Sequence, residues 1–366
     1  MTGRIPLLPH FMKLLILTQA VDENNPILGF FLDWIKEFVK HCESVIVICL
    51  YKGQYDLPAN VRVLSLGKED GVSRIKYLFR FYKYIWQERS NYDSAFVHMN
   101  QVYVILGGWF WRIWHKKIGL WYVHKKVSLS LRLAEKNVDV IFTASKESFG
   151  IESGKVKILG HGINLVNFYP DNKIMENRDN YFGIVCVGRI SRIKNQKLLI
   201  EALDILVNRE SIKNIRIRLL GDATSLDDYE YKKELQLLIE GKQLENFIEF
   251  SGSVPNKEIA NYYHQADLSV NLCPTGGLDK AVLESIVCGV PVIVLNKTFI
   301  GEFGIYSSDL VLNSSDPDDL TEKIFKIRAM AKEKKDKMKR DLIAEVKSRH
   351  SLEKLIFRIV AILKGN

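Results

Sequence analysis

The sequence predicts an α/β protein built from two doubly wound parallel-sheet domains, and three observations lead there. The chain has 366 residues, and at roughly 150 residues per domain that is room for two. Apolar residues make up 47% and charged residues 26%, the balance of an ordinary globular protein, which excludes a disordered, collagen-like or disulfide-framework chain. Short β-rich runs alternate with stretches whose apolar residues recur at helical spacing, and a strand–helix–strand order builds parallel sheets through right-handed crossovers.

KLLILTQ (13–19) is the first β-rich run, after an N-terminal stretch (MTGRIPLLPHF) too short and too broken by prolines for a signal peptide. LGFFLDWIKEFVKHC (28–42) has helical spacing, and SVIVICLY (44–51) is strand-like again. SAFVHM (94–99), KIGLWYVH (117–124) and VDVIFTAS (138–145) continue the series, giving a first domain over 1–170. DNKIMENRDN (171–180) is polar and aperiodic and reads as an interdomain linker. A second alternation fills 171–350, with strands at 181–188, 215–221, 247–252, 268–273 and 290–295. Helices at 195–208, 229–240, 256–265 and 280–288 stand between them. Residues 316–349 are helical and rich in Lys, Glu and Asp, and SLEKLIFRIVAIL (351–363) is an amphipathic terminal helix.

The chain carries 52 Lys and Arg against 43 Asp and Glu, net +9, of which residues 1–170 hold +8. A basic excess calls for an anionic partner: nucleic acid, a membrane surface or a phosphorylated substrate. The run KEKKDKMKR (332–340) is interspersed with acids and lacks a zinc-finger, RNP or helix-turn-helix signature. It reads as a solvated helix face, and nucleic acid is not expected. The five cysteines form no C-x-x-C pair, which suits buried reduced thiols in a cytoplasmic protein. The longest apolar stretch, VYVILGGWFW (102–111), is half of the roughly 20 residues that a spanning helix needs. GGWFWRIWHKKIGLWYVHKK (107–126) is dense in Trp and cations, a composition suited to the inner face of the cell membrane, or to a core helix and strand with basic ends.

Two segments of the second domain carry the chemistry. CVGRISRIKNQKLLIEAL (186–203) puts Arg189 and Lys194 on the loop leaving a strand's carboxyl end. Open parallel sheets bind ligands there, and a forked guanidinium beside an ammonium suits a diphosphate. NLCPTGGLDKAVLESIVCGVPVIVL (271–295) runs strand, Thr-Gly-Gly loop, helix, Cys-Gly stop and strand. Gly276 and Gly277 allow close backbone approach, Asp279 is placed to cap the helix, and a helix N-terminus attracts anions. Glu284 stands one turn inside, among Val282, Leu283, Ile286 and Val287. A lone carboxylate there faces a ligand sooner than bulk water, and it can accept two hydrogen bonds from a ribose diol. His98 and His124 end apolar runs and so point to the carboxyl edge of the first sheet; the alternative for each is a satisfied structural histidine.

These segments resemble the nucleotide-sugar site of the retaining GT-B glycosyltransferases of family 4 (glycosyl transferases group 1). That family pairs a G-R-x-x-x-x-K segment with a Glu-x7-Glu helix. Gly188, Arg189 and Lys194 match the first, and Glu284 matches the second Glu. IEFSGSVPNKEIANYYHQADLSV (248–270), with Val254, resembles the family's F-x-G-x-V stretch and aromatic helix. The family's first Glu helps to hold the donor sugar and falls on Gly276, which leaves Asp279 or Lys280 to contact the sugar. DENNPILGFFLDW (22–34) stands where the family has a glycine-rich loop whose amides face the donor phosphates. Only Gly29 of it is retained, and Pro26 and Gly29 read equally well as turn residues. His124 matches the family's active-site His. KILGHGINLVNFYP (157–170) resembles its hinge segment, with His161 and Gly162, and with Asn164 in place of the usual Asp.

The resemblance implies two Rossmann-like domains facing across a cleft, with residues 351–366 packed back on the first, acceptor-side domain. It implies transfer of a sugar, with retention, from a nucleotide-diphosphate sugar to a lipid-linked or cell-surface glycan intermediate. Arg189 and Lys194 then neutralise the leaving diphosphate, Glu284 anchors the ribose, and His124 positions donor sugar and acceptor. No D-x-D stands at a strand end, so neither a metal nor a cofactor beyond the nucleotide-sugar is expected. Two alternatives remain: a nucleotide-sugar epimerase on the same fold, and a non-catalytic, membrane-associated nucleotide-sugar binder, for which Gly276 speaks.

Overall fold

The computed structural model describes residues 11–25, 27–171 and 181–365. Pro26, residues 1–10 and most of the polar run at 171–180 lie outside them, and so do the turn at Pro26 and the linker expected there. The chain divides into two units, Met1–Gly162 with Leu352–Asn366, and Ile163–Ser351. The division thus falls at Gly162, ahead of the polar run.

In the first unit the strands are β1 (Met12–Val21), β2 (Cys42–Lys52), β3 (Val61–Ser65), β4 (Ser94–His98), β5 (Lys117–Trp121), β6 (Val140–Thr143) and β7 (Val156–Ile158). They form one sheet in the order β3-β2-β1-β4-β5-β6-β7, every pair parallel. Both faces are covered, so the central strands are continuous apolar runs; Leu14 to Leu17 are all fully buried. Helix α1 (Phe31–Val39) and the C-terminal helix Leu352–Lys364 cover one face, around Phe38, Phe96, Ile356 and Leu363. The Lys117 ammonium donates to the Ile362 carbonyl at 2.7 Å, fastening that terminal helix to β5. Helices α2 (Arg74–Gln87), α3 (Val102–Ile113) and α4 (Leu129–Asn137) cover the other face, around Leu15, Leu17, Phe81, Trp111 and Leu131. The helix expected over 28–42 is shorter, because the Asn25 side chain takes the amides of Ile27 and Leu28 into a turn and β2 already begins at Cys42.

The second unit holds β8 (Phe182–Val187), β9 (Ile215–Leu220), β10 (Ile248–Gly252), β11 (Leu268–Asn271) and β12 (Val292–Val294), all parallel, in the order β10-β9-β8-β11-β12. Helices α5 (Gln196–Asp204), α6 (Leu226–Gly241), α7 (Asn256–His264), α8 (Lys280–Val287), α9 (Pro317–Ala329) and α10 (Lys332–Arg349) complete it. The helical stretch expected over 316–349 is two helices, because Met330 and Ala331 both turn extended. Asp316 caps α9 with Pro317 in its first turn, the favoured place for a residue without an N–H. Met338, Leu342 and Val346 seat the otherwise charged α10 on the core.

Candidate functional site

From β8 the second sheet grows through β9 and β10 on one side and through β11 and β12 on the other. The carboxyl ends of β8 and β11 are therefore its switch point, where an open parallel sheet leaves a crevice for ligands. Three neighbouring strand ends are glycines in the left-handed region: Gly188 (φ +146°), Gly221 (φ +129°) and Gly252 (φ +71°). A Cβ on Gly221 would lie 2.1 Å from the Gly188 carbonyl oxygen, so no side chain fits between these loops. Gly252 is the glycine of the F-x-G-x-V stretch, whereas Gly221 is not singled out in the sequence, although it too closes a strand.

Arg189 and Lys194 rise from the loop after β8. The Lys194 stem passes over Gly188, its Cε 3.5 Å from where a Cβ would stand, and its ammonium pairs with Asp279. The Asp279 carboxylate also accepts from Asn271 Nδ2 at 2.9 Å and from the Ala281 amide at 3.2 Å, capping α8. One carboxylate thus ties the β8 loop, the end of β11 and the start of α8 together. Burial pushes the Lys194 ammonium down, but Asp279 outweighs it and holds the group above its ordinary value. Burial likewise pushes Asp279 up, and Lys194 overrides it, so the carboxyl titrates below its ordinary range.

Arg189 is half exposed. It donates to Thr224 Oγ1 at 3.3 Å, and its Nε lies 3.8 Å from Asp228. Asp228 closes a capping box with Ser225 at the start of α6. Burial raises the Asp228 carboxyl, and hydrogen bonds from Ser225 and Thr224 with the nearby Arg189 bring it below its ordinary value. A cavity of about 620 Å³ opens beside these residues, lined among others by Ser191, Arg192, Ser225 and Pro274. That lies within the range of small-molecule sites.

The Thr-Gly-Gly loop is held from behind. Asn296 Nδ2 donates to the carbonyls of Gly276 and Gly277, both at 3.2 Å, and Thr298 Oγ1 donates to that of Gly276 at 3.2 Å. Gly276 is left-handed (φ +121°), with open space where a Cβ would be. The Lys280 ammonium lies 3.5 Å from Glu284 Oε1. Glu284 is only 3% exposed, on the inward side of α8. Its Oε1 is buried without a hydrogen-bond partner. Burial raises its carboxyl, and Lys280 and Asn256 offset this only in part. Val254 is half-buried against the core beyond Gly252.

The other predicted residues belong to the first unit. Gly29 closes the loop after β1: a Cβ there would lie 2.8 Å from the Asn25 carbonyl oxygen, to which its amide donates at 2.9 Å. The Ile27, Leu28 and Gly29 amides are thus all engaged within the loop. His98 ends β4 and is buried, stacked on Phe31 at 3.9 Å with Nδ1 3.3 Å from Thr18 Oγ1. It is a structural histidine of an aromatic cluster. His124 does not end a strand, because β5 stops at Trp121. It sits exposed on the following loop, edge-on to Tyr122 at 5.7 Å, and desolvation holds its imidazole below the ordinary value, favouring the neutral ring. His161 is buried near the end of this unit's main segment. One edge of the second unit therefore gathers Gly188, Arg189, Lys194, Gly276, Gly277, Asp279 and Lys280, whereas Gly29, His124 and His161 lie in the first.

Residues 170–346 match the family glycosyl transferases group 1. A D-inositol 3-phosphate glycosyltransferase from Pseudarthrobacter chlorophenolicus is 23% identical over 150 residues, 40% of this chain and 35% of that protein. An alpha-monoglucosyldiacylglycerol synthase from Acholeplasma laidlawii is 28% identical over 151 residues, 38% of this chain and 36% of that protein. The chain thus matches about a third of the length of these curated relatives. Among solved structures, Anabaena Alr3699/HepE in complex with UDP-glucose superposes with a TM-score of 0.75 at 17% identity, covering 97% of this chain and 100% of that one. Sucrose-phosphate synthase from Thermosynechococcus elongatus superposes with a TM-score of 0.73 at 16% identity, covering 96% and 98%. The fold is that of the GT-B class, and its second unit carries the match to the glycosyl transferases group 1 family.

Proposed function

We propose that this protein transfers a sugar from a nucleotide-diphosphate sugar to an acceptor, with retention at the anomeric carbon. The observation that carries the reading is the convergence of Arg189 and Lys194 at the switch point of a glycosyl transferases group 1 domain. On donor binding the two cations exchange Asp228 and Asp279 for phosphate oxygens. The bond from C1 to the diphosphate breaks through an oxocarbenium-like state. The acceptor hydroxyl oxygen bonds to C1, and its proton leaves with the departing phosphate. Charge developing on that phosphate meets two fixed cations in a part-buried site, where such stabilisation is strongest. Glu284 Oε1, buried without a hydrogen-bond partner, accepts from a ribose hydroxyl once α8 and Lys280 give way, and Asp279 or Lys280 meets the donor sugar. His124, favoured as the neutral ring, positions acceptor and sugar.

The acceptor is a lipid-linked or cell-surface glycan intermediate of polysaccharide biosynthesis, met at the inner face of the membrane. The basic first unit supports this, as does the likeness to an enzyme named for a glucosylated diacylglycerol. The test incubates the protein with UDP-, GDP- and ADP-sugars and a polyprenyl-diphosphate-linked acceptor. Freed nucleoside diphosphate and a glycosylated product of unchanged anomeric configuration are the expected result. Interconversion of donors without acceptor identifies an epimerase, and binding without turnover a non-catalytic binder.

A further inference from the structure

The net charge of the chain is concentrated in one stretch. Residues 72–134 hold eleven Lys and Arg against two acids, leaving forty-one of each sign elsewhere, so the whole +9 lies there. Of the two acids, Glu88 is paired with Arg62 and Asp93 accepts the Lys13 amide. Helix α2, RIKYLFRFYKYIWQ, has four cations and no acid.

It is also apolar on two faces. Phe81 and Ile85 point into the core, whereas Ile75, Phe79 and Trp86 are 80%, 72% and 53% exposed. Helix α3 lies alongside and leaves Trp109 68% and Ile113 54% exposed. Ring contacts join the two helices into one surface: Tyr82 to Phe110 at 5.6 Å, and Trp114 to both Phe110 and Trp86 at 5.7 Å. The Arg89 guanidinium sits 4.7 Å over the Trp86 ring. This relocates the surface expected at 107–126. Trp111 is buried and donates to the Tyr92 hydroxyl. The Lys116 and Lys117 ammonium groups donate to the carbonyls of Tyr92 and Ile362.

We propose that the outer face of α2 and α3 docks on an anionic lipid bilayer. This deepens the membrane contact proposed above and rests on it. Exposed Trp and Phe at this density suit the headgroup level, and lysine and arginine stems snorkel past apolar contacts to reach phosphates. A protein partner fits less well, because interface cores are depleted in Lys and here Lys76, Arg80 and Lys83 run beside the exposed apolar residues of α2. Single-stranded RNA fits less well too, because Ile75 and Ile113 offer no ring for base stacking. No helix among the described residues is long and apolar enough to cross a membrane, so the contact is a flat one.

The test is flotation of the full chain with phosphatidylcholine vesicles and with vesicles containing phosphatidylglycerol. Wild type should partition at least tenfold more to the anionic vesicles and lose most of that in high salt. Two variants on exposed positions, Phe79→Ser with Trp109→Ser and Lys76→Glu with Lys83→Glu, should each lose tenfold or more with unchanged thermal unfolding. Brominated lipid should quench Trp86 and Trp109, read as the signal lost on replacing each by Phe. Unchanged binding of both variants, or no binding by wild type, overturns the proposal. So does a self-association or an RNA affinity that these variants abolish. Nucleoside diphosphate binding without vesicles reports on the donor site separately, so failure of the docking face leaves the sugar-transfer reading standing.

Discussion

Replacing Asp279 by Asn should move stability and nucleotide affinity in opposite directions. The side chains of Lys194 and Asp279 are each 24% exposed, so the variant strands a mostly buried ammonium. Removing one partner of a fully buried pair costs about 3–5 kcal/mol, and with this residual exposure about 2 kcal/mol is expected. Asn keeps the helix cap, whereas Ala loses about 1 kcal/mol more. The freed Lys194 no longer has to be taken from Asp279. Opposite charges at about 4 Å are worth roughly 4 kcal/mol at an effective dielectric of 20, and recovering a quarter of that tightens diphosphate binding about fivefold. The assay is calorimetric unfolding across pH together with titration by UDP. Asp279 titrates below its ordinary 3.8 and Lys194 above its ordinary 10.5. The pair's contribution is therefore lost as pH falls from 3.8 through the Asp279 value or rises from 10.5 through the Lys194 value, and it is flat between the two ordinary values. Equal stability and equal UDP affinity in variant and wild type would refute the coupling.

Four further substitutions separate architecture from chemistry. Glu284→Gln should weaken nucleotide binding about tenfold, since an amide has one acceptor oxygen where a carboxylate has two. Because burial raises the Glu284 carboxyl, its ionisation costs stability as pH rises from its unfolded to its folded value, and the variant should lack that slope in a melting series. Gly221→Ala should cost about 3 kcal/mol or more, from a left-handed backbone and a clash with the Gly188 carbonyl. Gly71→Ala, equally left-handed but with open space around it, should cost about 1 kcal/mol in the same denaturation assay. His124→Gln should cut transfer about 100-fold and leave thermal unfolding unchanged, because the ring is exposed.

The parts of the fold that could be read from the sequence are those with a local signal. Every strand of the second sheet is an apolar run or an apolar–polar alternation closed by a turn, and Asp279 sits at the start of a helical pattern with a capping side chain. Helix α2 does carry a polar stripe, Lys76, Arg80 and Lys83 at helical spacing, but exposed Ile75, Phe79 and Trp86 widen its apolar side and blur the pattern. Strand β3 was missed because it is a short, half-exposed edge. In the site, Gly188, Arg189 and Lys194 stand together in the chain and were legible. The carboxylates that neutralise them were not, because Asp279 and Asp228 reach the β8 loop only through the strand order. The burial of Glu284 is likewise a property of how α8 rolls on the sheet, which its apolar neighbours do not determine alone.

On the proposed reading, Arg189 and Lys194 hold a nucleoside diphosphate at the edge of the second sheet. Titration of UDP, GDP and ADP into wild type and into Arg189→Ala with Lys194→Ala tests it most directly. Two charge-assisted contacts of about 1.5–3 kcal/mol each predict binding by wild type and at least a 100-fold loss in the folded double variant. Equal affinity in both proteins would contradict the account.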